Sequence, residues 1–297
     1  MDQTIPDWLN KTFLSTCLQG NGPDASPVTI NWYDVTAGVA PGNNYGSVIL
    51  RVKVKYREEN RDKDKSLIIK GPISNSLVDA IVELFGMAEY SFYYLYLPKL
   101  ADIIKDWITP KAYHTPMSSV IVLEDLSELG FTMADRQKQL DFDHCKQYFA
   151  ASAKFHAAGV VLANQHPELI EKFPGVLEKM IKSSDYSQLN LFMHDILVGL
   201  KCLIKSIEVL GLDEYKPYLE TIRKFVELNE NPKDNVRELG LRKMAETNKK
   251  MFKSFIHGDC WTTNMMFKHN QSGPGPTDIR LIDFQGFRYD SVVSDIP

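Results

Sequence analysis

Two runs near the start of the chain alternate apolar and polar residues: Val28, Ile30 and Trp32 in one, and Val48, Leu50, Val52 and Val54 in the next. Period-two alternation marks half-buried β-strands. Ser66–Lys70, with the sequence SLIIK, reads as a third strand after a charged turn at Glu58–Lys65. The period then changes. From about Leu77 to Leu95, the residues Val78, Ile81, Val82, Phe85, Glu89, Phe92 and Tyr93 recur at three- and four-residue steps, which predicts a helix. Pro6 to about Leu18 predicts another, and Val120–Leu123 a further short strand. Asp141 to about Lys250 is mostly helical in pattern, with breaks near Pro167, Pro174, Pro217 and Pro232. Met265–Lys268 and Ile279–Ile282 are two short strands around the loop Asn270–Thr277. The expected class is α+β: a β-rich part with one helix, then a helical part, then a late β-hairpin.

Composition narrows the function classes. Apolar residues make up 44% of the 297, enough for a substantial core. A net charge of −4 and a pI of about 6.0 do not suit a broad nucleic-acid-binding surface, so no nucleic-acid partner is expected. The basic pairs Arg242-Lys243 and Lys249-Lys250 read as solvated helix faces. Cys17, Cys145, Cys202 and Cys260 are far apart and form no CxxC pair, which suits reduced thiols in a cytoplasmic protein. The N-terminus lacks the apolar core of a signal peptide. Leu191–Leu210 is interrupted by His194, Asp195, Lys201 and Lys205, so it reads as an amphipathic helix and not a membrane span.

The chemistry concentrates in FIHGDCWTTNMMFKHNQSGPGPTDIRLIDF, residues Phe255–Phe284. The midpoint between Asn264 and Asp283 falls at Gly273/Pro274, the expected hairpin tip. Equal strands would therefore set Asn264 and Asp283 face to face at the open end. Asp259 lies in the loop feeding the first strand. Two carboxylates and an amide oxygen form the hard-oxygen set that Mg²⁺ prefers when it also holds phosphate. Phosphoryl transfer needs a carboxylate to accept the acceptor's proton and a metal to neutralise phosphate charge. Asp259 fits the first role, and Asn264 with Asp283 the second. Protein kinases use the related HRDxxxxN and DFG patterns for these jobs.

The combination HGDxxxxN…DFQ resembles the aminoglycoside- and choline-kinase-like superfamily. More closely it is similar to the ecdysteroid-kinase-like (CHK kinase-like) family of insects and other invertebrates. The stretches that carry this are His257–Lys268, Ile279–Gln285, and Val122–Leu126 followed by Gly130-Phe131. The resemblance spans nearly the whole chain. It implies a two-lobed protein-kinase-like fold, with residues 1–123 as a nucleotide-binding N-lobe and 124–297 as a helical C-lobe. It also implies ATP and Mg²⁺ as cofactors and the hydroxyl of a small molecule, such as an ecdysteroid or xenobiotic, as acceptor. Family members usually continue well past the Ser294–Pro297 end of this chain, so the chain is read as truncated, with part of the acceptor pocket missing.

Upstream residues supply a nucleotide side. Kinases pair a strand lysine with a helix glutamate to hold phosphates, and Lys70 with Glu89 fits that pattern. The loop Gly38–Ser47 contains Gly42 and Gly46, whose backbone amides can approach phosphate, but no GKS or GKT follows as in a Walker A loop. By resemblance it is the phosphate-covering loop, with Gly42, Asn44, Tyr45 and Ser47 as contacts. Val122–Leu126 would link the lobes, its backbone at Glu124 and Leu126 offering hydrogen bonds to adenine. Glu124 and Asp125 are equally readable as a helix cap or surface turn. His156 reads as a satisfied core histidine, His257 as a brace of the catalytic loop, and Cys260 as an inert thiol. Trp261 is read as packing the loop, with an acceptor-pocket role as the alternative. A rival reading of the whole chain is a non-catalytic, pseudokinase-like binding protein. A protein kinase is disfavoured by the missing HRD arginine and APE segment.

Overall fold

The structure is a computed structural model. It describes residues 5–23, 25–38, 48–71, 87–106, 108–175, 187–230, 243, 246–270, 273 and 275–296, with the side chains of 187–193 and 195 left aside. It divides into two units, residues 1–173 with 253–297, and residues 174–252. No helix among the described residues is long and apolar enough to cross a membrane.

The first unit opens with helix α1 (Lys11–Gln19). The sequence pattern suggested a start at Pro6. Asn10 explains the later one: its side chain accepts the Phe13 amide at 3.0 Å and so acts as the N-cap. A five-stranded antiparallel sheet follows, made of β1 (Val28–Ala37), β2 (Val48–Glu58), β3 (Arg61–Gly71), β4 (Ala112–Tyr113) and β5 (Ile121–Glu124), in the order β1-β2-β3-β5-β4. Leu50, Val52, Val54 and Tyr56 of β2 are buried at every second position, as the alternation predicts. They pack against α1, β1, β3 and β5 in one of the unit's two hydrophobic cores.

Two expectations fail here for physical reasons. Trp32 is exposed, because the β1–β2 register shifts between Ile30 and Trp32 and a bulge inverts the alternation beyond Ile30. The charged turn Glu58–Lys65 is mostly strand. Glu58 pairs with Arg61 and only Glu59 and Asn60 turn, both with positive φ (49° and 61°), as a tight hairpin of twisted strands requires. The charges at Arg61–Asp64 are the exposed end of β3.

Residues 87–103 are helical. They include a wide π-type turn at Phe92–Tyr96 and end in α2 (Leu97–Ile103). The expected helix positions Val78, Ile81, Val82 and Phe85 lie outside the described residues. Next come β6 (Phe131–Met133), α3 (Phe142–Gln165), α4 (Glu168–Lys172) and β7 (Lys253–Ile256), then β8 (Met265–His269), β9 (Pro276–Leu281) and β10 (Arg288–Ser291). β6, β8 and β9 form one sheet and β7 and β10 another. α3 is capped by Asp141, which accepts the His144 amide at 3.0 Å. It buries Tyr148, Ala151, Ser152, Phe155, Ala158, Leu162 and Ala163, one face at three- and four-residue spacing. The second core is aromatic: Phe92, Tyr93, Tyr96, Phe155, Phe255, Phe284 and Phe287 pack together beneath the late hairpin.

The second unit contains α5 (Ser187–Leu210) and α6 (Lys216–Glu230). The pairs Lys201–Glu230 and Glu208–Arg223 run in opposite senses along the two helices, so the helices are antiparallel. Pro217 falls in the first turn of α6, where its missing N–H costs nothing, so it starts that helix. Val198, Leu203, Val209, Leu210, Phe225 and Leu228 are exposed on this hairpin.

Candidate active site

Strand β3 delivers Lys70, which pairs with Ile49 on one side and Ile121 on the other. Its ammonium donates to both Glu89 oxygens, at 2.8 and 2.6 Å, and to Asp283 Oδ1 at 2.8 Å. One cation thus joins a strand, a helix and the end of the late hairpin. Burial disfavours the charge on Lys70, but the Glu89 and Asp283 carboxylates outweigh it and hold the ammonium firmly protonated. Burial pushes the Glu89 carboxyl up against the pull of Lys70.

A second link runs parallel to the first. Three residues beyond Glu89, Phe92 stacks on Phe284 with ring centroids 3.6 Å apart and planes 6° from parallel. Phe284 is fully buried. With Phe284 drawn into the core, Asp283 adopts a left-handed backbone (φ 65°, ψ 66°) that turns its carboxylate to Lys70. That conformation is uncommon for a residue with a Cβ, and aspartate tolerates it better than most.

The hairpin register corrects one expectation. Met265 pairs with Leu281, and the Ile282 amide donates to the Asn264 carbonyl at 3.0 Å. Asn264 therefore faces Ile282, and Asp283 is one residue further on. The register shift between Lys268 and His269 brings the pairing one residue closer to the symmetric one than the His269–Pro276 pair near the tip would set. The tip residues 271, 272 and 274 lie outside the described residues.

Asp259 is held by amides. Asn264 Nδ2 donates to its carbonyl at 2.9 Å and to Oδ2 at 3.0 Å, and Gln285 Nε2 donates to Oδ2 at 3.2 Å. Both donors converge on Oδ2, so Oδ1 is the oxygen left for a proton. Asn264 faces two groups that only accept, so its Nδ2 must point to them and its Oδ1 away, free for a cation. Among the described residues no three His, Cys, Asp or Glu side chains are grouped to hold a metal. A cation here would rest on the Asn264 amide oxygen, the Asp283 carboxylate and oxygens of a bound phosphate. That hard-oxygen set fits Mg²⁺.

His257 braces the loop. Its Nε2 lies 2.9 Å from the Ile282 carbonyl, and its Nδ1 accepts the Asp259 amide at 3.3 Å. The carbonyl can only accept and the amide can only donate, so the ring is neutral with its proton on Nε2. Burial lowers its pKa, in agreement. An unfolded chain binds a proton at this histidine below about pH 6.5 while the folded chain does not. Stability is therefore expected to fall as pH drops below about 6.5, by up to about 1.4 kcal/mol per pH unit from this group. Thermal melts between pH 7.5 and 5.5 check this, and His257→Gln should flatten the dependence.

Two glycines let the loops meet. Gly258 has φ 79°, and a Cβ there would fall on the Gly286 carbonyl and the Arg288 guanidinium. A Cβ on Gly286 would lie 2.9 Å from the carbonyl carbon and oxygen of Gly258. These are backbone atoms that cannot swing aside. Gly286→Ala is expected to cost about 1–3 kcal/mol by overpacking and to lower turnover by displacing Asp259. Melting temperature and activity measured together test it.

Other sequence readings fare unevenly. Glu124 ends β5, and its N–H already donates to the Lys111 carbonyl at 2.9 Å, so its remaining backbone offer is its carbonyl. Leu126 is buried at the start of a short 3₁₀ turn that Asp125 caps by accepting the Ser127 amide. Asp125 is also buried against Arg51 at 2.7 Å and Ser66 at 2.7 Å, so of this acidic pair it has the structural part. Gly42, Asn44, Tyr45 and Ser47 lie outside the described residues. Cys260 is partly buried, and burial pushes its thiol pKa well up, as an inert thiol requires. His156 is satisfied by a carboxylate at 2.8 Å. Trp261, read as packing the loop, is 46% exposed, two residues from Asp259. The sequence assigns no separate role to Gln285, which appears only as the end of the DFQ motif, nor to Gly286 or Asp295. Gln285 and Gly286 adjoin Asp283-Phe284, a signal that was available.

A profile of the ecdysteroid kinase-like family matches residues 41–297, which takes in every residue of this constellation. The chain belongs to the ecdysteroid kinase-like family. Membership carries the coarse assignment of a kinase-like phosphotransferase. No curated protein matches the chain.

Proposed function

We propose that this ecdysteroid kinase-like protein transfers the γ-phosphate of ATP, with Mg²⁺, to a hydroxyl group of a small molecule, an ecdysteroid or a xenobiotic. The fold that suits this reading is two-lobed and kinase-like, with residues 1–123 as the nucleotide lobe and 124–297 as the catalytic lobe. The observation that carries the proposal is the contact of Lys70 with both Glu89 and Asp283, beside an Asp259 carboxylate oriented by two amides.

Each residue has a part that its surroundings allow. Asp259 Oδ1 accepts the proton of the attacking hydroxyl, while Asn264 and Gln285 fix the carboxylate plane through Oδ2. Lys70, oriented by Glu89, offers positive charge to the phosphates. Asn264 Oδ1 and Asp283 would hold Mg²⁺, which when bound neutralises phosphate charge. Gly42, Asn44, Tyr45 and Ser47 would cover the phosphates, and the Glu124–Leu126 backbone would meet adenine. The exposed indole of Trp261 offers the acceptor an apolar surface beside the base.

Calorimetry with ATP, in the presence and absence of Mg²⁺, tests the nucleotide half: binding that strengthens with Mg²⁺ is expected. No binding by folded protein would refute it and favour a non-catalytic protein. A metabolite screen for ATP-dependent mass gain of a phosphate identifies the acceptor.

A further inference from the structure

His144 and His269 bring their Nε2 atoms to 3.1 Å from each other, although 125 positions separate them along the chain. His144 stands in the first turn of α3, and His269 is the last residue of β8. The His144 ring is held on two further sides. Its Nδ1 lies 2.7 Å from Asp141 Oδ1, the oxygen that also accepts the His144 amide. Its edge meets the Phe267 ring, with centroids 4.6 Å apart and planes at 76°. The His144 side chain is 15% exposed, whereas His269 is open to solvent. Among the described residues neither Nε2 has another hydrogen-bond partner.

We propose that His144 and His269 form a two-histidine site for Zn²⁺, which clips the start of α3 to the outer end of β8. The site lies apart from the phosphotransfer constellation and does not depend on that reading. Ligand chemistry selects the cation: imidazole nitrogens suit Zn²⁺, whereas Mg²⁺ asks for oxygens. The spacing fits as well. Two nitrogens each about 2.0–2.1 Å from a tetrahedral Zn²⁺ stand about 3.3 Å apart, and the observed 3.1 Å closes the angle at the metal only to about 100°. Asp141 sets the tautomer. A carboxylate only accepts, so the His144 proton sits on Nδ1 and a neutral ring turns its Nε2 lone pair toward His269. A carboxylate behind a metal-binding histidine, fixing its ring and raising its basicity, is the usual partner in such sites. Local charge agrees. Asp141 and Asp143 put two carboxylates at this turn, and the nearby ammonium of Lys268 is turned to the Phe131 ring, 5.8 Å from its centroid. Among the described residues no third His, Cys, Asp or Glu completes the set, so water would fill the remaining positions. The rival occupant of the gap is a proton, in a hydrogen bond donated by His269 Nε2 to His144 Nε2.

A cation bound by both elements in the folded chain alone stabilises it by mass action. Zn²⁺ binding to the chelator-treated full chain is therefore measured by calorimetry with ZnCl₂ near neutral pH, together with melting temperature. Excess MgCl₂ occupies oxygen-lined sites without competing for imidazole. The wild type is expected to bind Zn²⁺ and to melt at a higher temperature with it. His269→Gln changes an exposed residue and should leave the fold intact. It is expected to lower Zn²⁺ affinity by ~10-fold or more and to remove the rise in melting temperature. His144→Gln should do the same. Asp141→Asn keeps the helix cap, because asparagine caps as well as aspartate. It should lower the affinity by about 10-fold through loss of the carboxylate alone. Wild-type protein that binds no Zn²⁺, or that binds it as tightly after His269→Gln and His144→Gln, would overturn the site and leave the two rings joined by a hydrogen bond. Undiminished affinity in Asp141→Asn would overturn the part given to the carboxylate.

Discussion

Asp259→Asn is expected to lower turnover by about 10²–10⁴-fold, the usual contribution of a general base. Melting temperature and MgATP affinity should be nearly unchanged. The substitution removes the basic oxygen without changing the shape of the side chain. Asn264 and Gln285 both donate to Asp259 Oδ2, and an asparagine carbonyl turned to that side still accepts them. The lost function is then confined to Oδ1, where an amide nitrogen cannot take a proton. Steady-state kinetics separate the cases: a fall in kcat with constant KM for ATP marks a group acting in the transition state. A rise in KM alone would assign Asp259 to binding.

Much of this site can be read from residue types alone, because the chemistry restricts them. Lys70, Glu89, Asp259, Asn264 and Asp283 are polar residues set in or beside apolar runs, and the structure joins Lys70 to Glu89 and Asp283, and Asp259 to Asn264. The strands of the large sheet are legible for a related reason, since one buried face imposes period two. What stays hidden depends on single-residue offsets and on remote partners. The bulge at Trp32 and the hairpin slip at Asn264 are each offsets of a single residue, set by strand pairing and not by residue type. Asp295 looks like a chance acid near Val292 and Val293 until the fold brings the His257 and Gly258 amides to it. Gly286 reads as one more loop glycine until its backbone contact with Gly258 is seen. Trp261 reads as a packing residue from its apolar character, yet it is 46% exposed.

Lys70→Met should produce the largest combined effect, on both stability and activity. Lys70 is 11% exposed and Glu89 5%, so removing the ammonium leaves Glu89 with no cation and facing the like charge of Asp283. Stranding a buried partner of this kind costs about 3–5 kcal/mol. Adding Glu89→Gln should recover part of that stability, since it removes the stranded charge, but should recover no turnover, since the lysine proposed to meet the phosphates is still missing. Denaturant unfolding of the two single variants and the double variant gives the coupling directly. Independent, additive losses would mean that the Lys70–Glu89 contact does not contribute as a pair. Phe92 and Phe284 hold the same two segments together by stacking, so Lys70→Met is expected to weaken this junction without opening it.

The central claim, that this chain moves phosphate from ATP to an alcohol, is tested most directly with γ-³²P-labelled ATP and Mg²⁺. The protein is incubated with hydroxylated steroids and phenols, and products are separated for label. The expected result is label on an acceptor that requires Mg²⁺ and disappears with Asp259→Asn. Folded, nucleotide-binding protein that labels no acceptor in the panel or in a metabolite extract, or that labels acceptors equally well as Asp259→Asn, would contradict the claim.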